Sequence, residues 1–241
     1  MNTNLNEKIF SFFHRFIEKN YHSKKLARII KNMSNAINPT IFDVGGNEGE
    51  SIELFINTFR QPKIYSFEPE IGSFQKLQEQ YGKINEINLF NLAFGNKKEI
   101  LNLKINVKSS TSTFSTINTK SKYYKLKSLI LNTNKNKIFV DEESVQVETI
   151  DNFCIEKKIQ NIEILKIDTE GFELNVLEGA KESLQKTNII IIEFQLNDMY
   201  LNYNPKKIED ILKKNNFTLM KSLKFPFMQY EDRIYINQDY K

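Results

Sequence analysis

Residues 41–51, IFDVGGNEGES, leave few folds open to this chain. Ile41, Phe42 and Val44 make a short apolar run of the kind that forms a buried strand. Glycines at 45, 46 and 49 interrupt it, and Ile52, Phe55, Ile56 and Phe59 then recur with the spacing of one helix face. Strand, glycine turn and helix is how α/β proteins hold a nucleotide, with backbone N–H groups and the helix N-terminus turned to the ligand. Asp43 at the strand end and Asn47 in the turn add side-chain hydrogen-bonding groups. About twenty residues on, KIYSFEPE ends a second apolar run at Glu68, where a carboxylate can accept from ribose hydroxyls. Together the two places predict a ligand that contains a ribose.

Register narrows the ligand. The dinucleotide fingerprint G-x-G-x-x-G has no valid start here, because counting from Gly45 puts Asn47 and Glu50 where the second and third glycines belong. Asp43, Gly45, Asn47 and Gly49 instead fit acid-x-Gly-x-Gly/Asn-x-Gly. That pattern resembles the first motif of Rossmann-like S-adenosylmethionine (SAM) methyltransferases. SAM carries no pyrophosphate, so its loop can hold fewer glycines and more polar side chains. An ordinary strand–turn–helix crossover is the competing reading of this motif alone.

A second cluster carries the chemistry. In IEILKIDTEGFEL, residues 162–174, Ile164, Leu165 and Ile167 read as a buried parallel strand, with Asp168, Glu170 and Glu173 following at its carboxyl end. Ligands sit at that edge of an open α/β sheet. The run NIIIIEFQ then brings Glu193 to what should be the same edge. Lys166 is a cation inside an apolar run and needs a partner. Asp168, Glu170, Glu193 and Lys166 are therefore the candidate catalytic residues. A carboxylate there can take a proton from an acceptor, provided burial raises its pKa. Alternatively Asp168, Glu170 and Glu193 hold Mg²⁺. An internal Lys–Glu pair tying two strands together is the bland reading.

Composition sets the outer bounds. Hydrophobic residues at 40% and charged residues at 27% are ordinary for a globular protein. A net charge of +4 is small for 241 residues and argues against nucleic acid as the partner. The single cysteine, Cys154, excludes a disulfide framework and a Cys-rich zinc site, and it falls within a helical pattern as a packing residue. No apolar run is long enough to span a bilayer and no signal-peptide pattern opens the chain, so a cytoplasmic protein is expected.

Residues 1–38 read as a helical extension. Leu5, Ile9, Phe12 or Phe13, Phe16 and Ile17 recur at helical spacing ahead of Lys24, Lys25, Arg28 and Lys31. Such a segment either packs on the main domain or lies on a membrane or partner. His14 and His22 read as solvated or packing imidazoles. Residues 39–241 form the main domain. INLFNLAFGN is read as a third strand, residues 99–108 as an added one, and residues 109–143 as a Lys-, Asn- and Ser-rich insertion that acts as a lid or acceptor site. Asn204 and Pro205 begin a late helix, and residues 217–223 and 233–237 end the domain as an antiparallel pair.

The ordered set DVGGNEG, FEPE, NLAFG, VETID, LKIDTEGFELNVLEGA and IIIIEF, across residues 41–194, resembles the FkbM family of SAM-dependent methyltransferases. The resemblance implies a class I Rossmann-like fold, a mostly parallel seven-stranded sheet with helices on both faces. It implies SAM as cofactor and a hydroxyl-bearing acceptor: a sugar, glycan or secondary metabolite. Asp43, Gly45, Asn47 and Glu68 take the donor roles, and Gly46, Gly49, Ser51, Pro69, Asn91 and Ala93 complete the expected donor set. Gly46 departs from the family's usual alanine. An RNA methyltransferase gripping its substrate with the basic insertion, and a SAM-binding module without turnover, are the alternatives.

Overall fold

A computed structural model describes residues 21–106, 112–130, 138–225 and 229–240. The expected helix built on Leu5 to Ile17, with His14, lies outside these residues, as do residues 107–111 and 131–137 of the insertion and its border. The described chain opens on α1 (Ser23–Met33), which buries Leu26 and Ile30 and leaves its lysines outward.

The strand and helix read from residues 41–59 form as β1 (Thr40–Val44) and α2 (Glu50–Thr58). β2 (Lys63–Phe67), α3 (Ile71–Tyr81) and β3 (Ile87–Phe90) follow. After the insertion come α5 (Ile150–Glu156), which buries Cys154, β7 (Ile162–Ile167), the short α6 (Glu173–Glu178) and α7 (Lys181–Leu184), then β8 (Thr187–Gln195). α8 (Pro205–Lys214), β9 (Phe217–Lys224) and β10 (Tyr230–Asn237) complete the domain. Asn204 caps α8 by accepting from the Lys207 N–H.

The main sheet has seven strands in the order β3-β2-β1-β7-β8-β10-β9. The first five run parallel, and β10 is antiparallel to both neighbours. β1, β7 and β8 are central and buried on both faces, hence their nearly unbroken Ile, Leu and Phe. Alternation sorts them into two layers. Phe42, Leu165, Ile167, Ile190 and Ile192 face one apolar cluster, and Ile41, Ile164, Ile189 and Ile191 face the other, beneath α1 and α2. This is the α/β architecture expected from the sequence.

INLFNLAFGN does not form one strand. It divides at Asn91 and Leu92, and β4 (Ala93–Phe94) joins a second sheet of order β4-β6-β5, with β5 (Glu99–Asn106) and β6 (Phe139–Glu148). The reason is pairing: Ala93 and Phe94 lie parallel to Val147 and Glu148, which turns the backbone off the main sheet. The insertion leaves β5, makes α4 (Lys122–Ile130) and returns as β6. Among the described residues no helix is long and apolar enough to cross a membrane.

Candidate active site

The parallel strands end at one edge, and there the glycine turn is shaped by three left-handed residues: Gly45 (φ 91°), Asn47 (φ 44°) and Gly49 (φ 96°). Gly45 has a second constraint, since a Cβ there would lie 1.9 Å from the backbone O of Asp168. The turn is pinned to the end of β2, with Gly45 N and Gly46 N both donating to Phe67 O at 3.0 Å. Gly46 is explained by Ser66, whose Oγ would lie 2.2 Å from a Cβ at 46. That Oγ instead donates to Asp43 Oδ2 at 3.0 Å. Asp43 itself is fully buried, and its Oδ1 has no hydrogen-bond partner. Burial raises its pKa, opposed by Lys166 and the Ser66 hydroxyl, with Ser51 in the first turn of α2 adding a weaker opposition. Asp43 thus supports the turn from beneath.

Glu68 closes the other side of the turn. Oε2 accepts from Asn47 N at 2.8 Å and Oε1 from Glu70 N at 2.9 Å. Each oxygen keeps a second lone pair, which suits a vicinal diol such as a ribose. Burial pushes the carboxyl up to about 8, against those two N–H donors. Asn91, one of the expected donor-site residues, stands beside Glu68. Its Nδ2 donates to Glu68 O (3.0 Å) and Pro69 O (2.8 Å), holding the backbone that carries Glu68. Ala93 sits in the apolar centre of the small sheet with Leu103, Val145 and Val147. The left-handed turn and the doubly anchored carboxylate fit a ribose-bearing ligand such as SAM.

Lys166 lies opposite Asp43 in the β1–β7 register. Its Nζ donates to Asp168 Oδ2 at 3.0 Å. Burial would lower its pKa, but Asp168, Asp43 and Asp232 outweigh it and raise it, so the ammonium stays charged. Asp232, opposite Glu193 on β10, is also 3.6 Å from His22 Nε2. His22 packs into the fold rather than lying in solvent.

The Asp168–Thr169–Glu170–Gly171 loop is held from both sides. From below, Glu173 Oε1 accepts from Thr169 N (3.1 Å), Thr169 Oγ1 (3.2 Å) and Gly171 N (3.0 Å), while its Oε2 is buried without a partner. Burial pushes Glu173 up to about 7. From above, the insertion contributes Thr113 Oγ1 to Glu170 O at 2.6 Å and Ser115 Oγ to Gly171 O at 2.8 Å. Tyr200, in the loop after β8, donates to Glu170 Oε2 at 2.6 Å. Glu170 adopts a left-handed backbone (φ 50°), rare for a residue with a side chain. Burial raises its pKa, with Lys127 opposing and Asp168 adding to the rise. Glu193 is raised well above the usual range by burial and then by Asp168, Glu170 and Asp232.

The structure therefore gathers Asp168, Glu170, Glu193 and Lys166 beside the glycine turn. The Mg²⁺ reading finds no support in this arrangement. Among the described residues no group of three or more acids, histidines or cysteines is placed to hold a metal. The reason is local: Asp168 is occupied by Lys166, Glu170 by Tyr200 and Glu193 by the Gln195 amide. Glu173, Ser66, Asp232, Tyr200, Thr113 and Ser115 carry contacts that the sequence did not assign. Two of them left a signal in the sequence: Glu173 as an acid following a buried run, and Ser66 as a hydroxyl inside an apolar strand.

Comparison with known proteins agrees with this geometry. The methyltransferase FkbM domain pattern matches residues 43–219. The 2-O-methyltransferase NoeI of Sinorhizobium fredii (strain NBRC 101917 / NGR234) is 26% identical over 204 residues, covering 81% of this chain and 80% of that protein. Two solved structures share the fold. Magnesium protoporphyrin IX methyltransferase from Synechocystis PCC 6803 with bound SAM has a TM-score of 0.51 at 10% identity, covering 99% of this chain and 100% of that one. An uncharacterized protein from Listeria monocytogenes serotype 4b has a TM-score of 0.50 at 14% identity, covering 91% and 68%.

Proposed function

Since the chain belongs to the FkbM family of SAM-dependent methyltransferases, we propose that it transfers the methyl group to a hydroxyl of a sugar or glycoconjugate. One observation carries the reading: the glycine turn and the acid-bearing loop touch, Gly45 lying against the Asp168 backbone. A ligand in the turn therefore has carboxylates beside it. The similarity to a 2-O-methyltransferase supports oxygen as the atom methylated.

SAM supplies the electrophilic methyl, so this chain has to hold an acceptor and take its proton. Asp43, Gly45, Gly46, Asn47, Gly49 and Ser51 shape the donor turn. Glu68 accepts from the ribose, and Pro69 and Asn91 keep Glu68 in place. Asp168 keeps part of its side chain open at the edge, and Lys166 fixes its orientation. Asp168, Glu170, aligned by Tyr200, and Glu193 are the acids that can receive a hydroxyl proton.

The test is transfer of a labelled methyl from SAM to a panel of oligosaccharides, simple phenols and an RNA transcript, with products read by mass spectrometry. Methyl ethers on the sugars are expected. Methylation confined to nitrogen, or to RNA, would overturn the proposal.

A further inference from the structure

The eight lysines of residues 100–140 are accompanied by no acidic residue, whereas outside that stretch 30 acids outnumber 26 basic residues. The excess of positive charge thus falls in this stretch, which includes α4. α4 gives it a defined face. Lys122, Lys125, Leu126 and Leu129 stand at i, i+3, i+4 and i+7 and are all exposed, while Tyr124 and Ser128 are buried on the opposite side. Leu126 is 51% exposed and Leu129 73%. Lys120, also exposed, precedes the helix.

We propose that this face of α4 docks the enzyme on an anionic lipid surface. Lysines alone would suit any polyanion. Two leucines on the same stripe suit a surface with an apolar layer just beneath its charges, and lysine stems can lie along that layer while their ammonium groups reach the headgroups. Docking there is coupled to the site. The buried side of α4 packs through Tyr124 against Tyr200, Met199 and Ile138. Ser121, just before the helix, donates to Asp198 Oδ1 at 2.5 Å. Tyr200 in turn holds Glu170. A surface touching α4 is therefore one helix thickness, about 10 Å, from the loop that bears the acids. The inference goes beyond the proposed acceptor chemistry and is testable without any acceptor.

The experiment is co-sedimentation of the full chain with vesicles of phosphatidylcholine alone, or with about one-third phosphatidylglycerol. Binding to the anionic vesicles only, falling with salt, is expected. Lys122→Glu/Lys125→Glu should weaken it by at least about 25-fold, from roughly five-fold per lysine. Leu126→Ser/Leu129→Ser should weaken it by about ten-fold. Both pairs are on the surface, so SAM affinity and the circular-dichroism spectrum should match the parent, which separates this test from the methyl-transfer reading. Equal binding to both vesicles, or none, overturns the proposal. So does a leucine variant that binds vesicles like the parent while an RNA of mixed sequence binds with the same lysine dependence, since that marks a polyanion site.

Discussion

Glu68 shows how a single side chain would couple the proposed donor site to protonation. Its two oxygens receive backbone N–H groups on both sides of the turn, and burial still holds its pKa near 8. Hydrogen bonds to a carboxylate are worth about 1.5–3 kcal/mol, so Glu68→Ala should weaken SAM binding by roughly ten- to a hundred-fold in calorimetry. Full retention of affinity would remove the ribose assignment. Asp168→Asn should leave SAM affinity alone and lower kcat by about 10²–10⁴-fold, the usual range for a displaced general base; unchanged turnover would take Asp168 off the catalytic list. Gly45→Ala combines a positive φ with a Cβ 1.9 Å from Asp168 O, and should cost roughly 3 kcal/mol or more in urea unfolding. The acids at the ends of β7 and β8 were legible in sequence because polar residues abruptly follow buried runs. The depth of Asp43 and the work of Glu173 were not. Both depend on which neighbour stands across a sheet or beneath a loop, and local spacing does not encode that.

At the scale of elements, the insertion is more than a cover. It reaches the Asp168–Gly171 loop through two hydroxyls, Thr113 and Ser115, which donate to the carbonyls of Glu170 and Gly171. Thr113→Val with Ser115→Ala removes both bonds at nearly constant volume. We expect kcat to drop by about ten-fold or more, from roughly 1 kcal/mol per bond, with the Kd for SAM unchanged. A fall in SAM affinity alone would contradict this division of labour. β1, α2, β7, β8 and the terminal antiparallel pair were readable because their apolar periods are strong and local. The break between β3 and β4 was not, because Ala93 and Phe94 are claimed by Val147 and Glu148, far along the chain. α4 was equally hidden: three of its nine residues are lysines, its two leucines face outward, and its buried contacts come from Met199 and Tyr200.

For the whole molecule, buried carboxyls make stability depend on pH in a definite direction. Glu68 and Glu173 have native pKa values of about 8 and about 7, against ordinary values of 4.5. The folded state therefore binds more protons than the unfolded one between these limits, and the stability they contribute is complete below about pH 4.5 and lost as pH rises through 7 and 8. The melting temperature of the ligand-free protein should fall from pH 5.5 to about 8.5, and Glu68→Gln should flatten that slope; a rising curve with an unaltered slope in the variant would refute it. Strand order carries a consequence of another kind. β10 comes later in the chain than β8 and β9 yet lies between them. On the ribosome, then, the two strands that will flank it emerge with a slot between them, and β8 presents an unfilled edge rich in isoleucine until the last partner arrives. A chain cut before Tyr230 leaves β8 without its antiparallel partner, an open edge of the kind that invites edge-to-edge association.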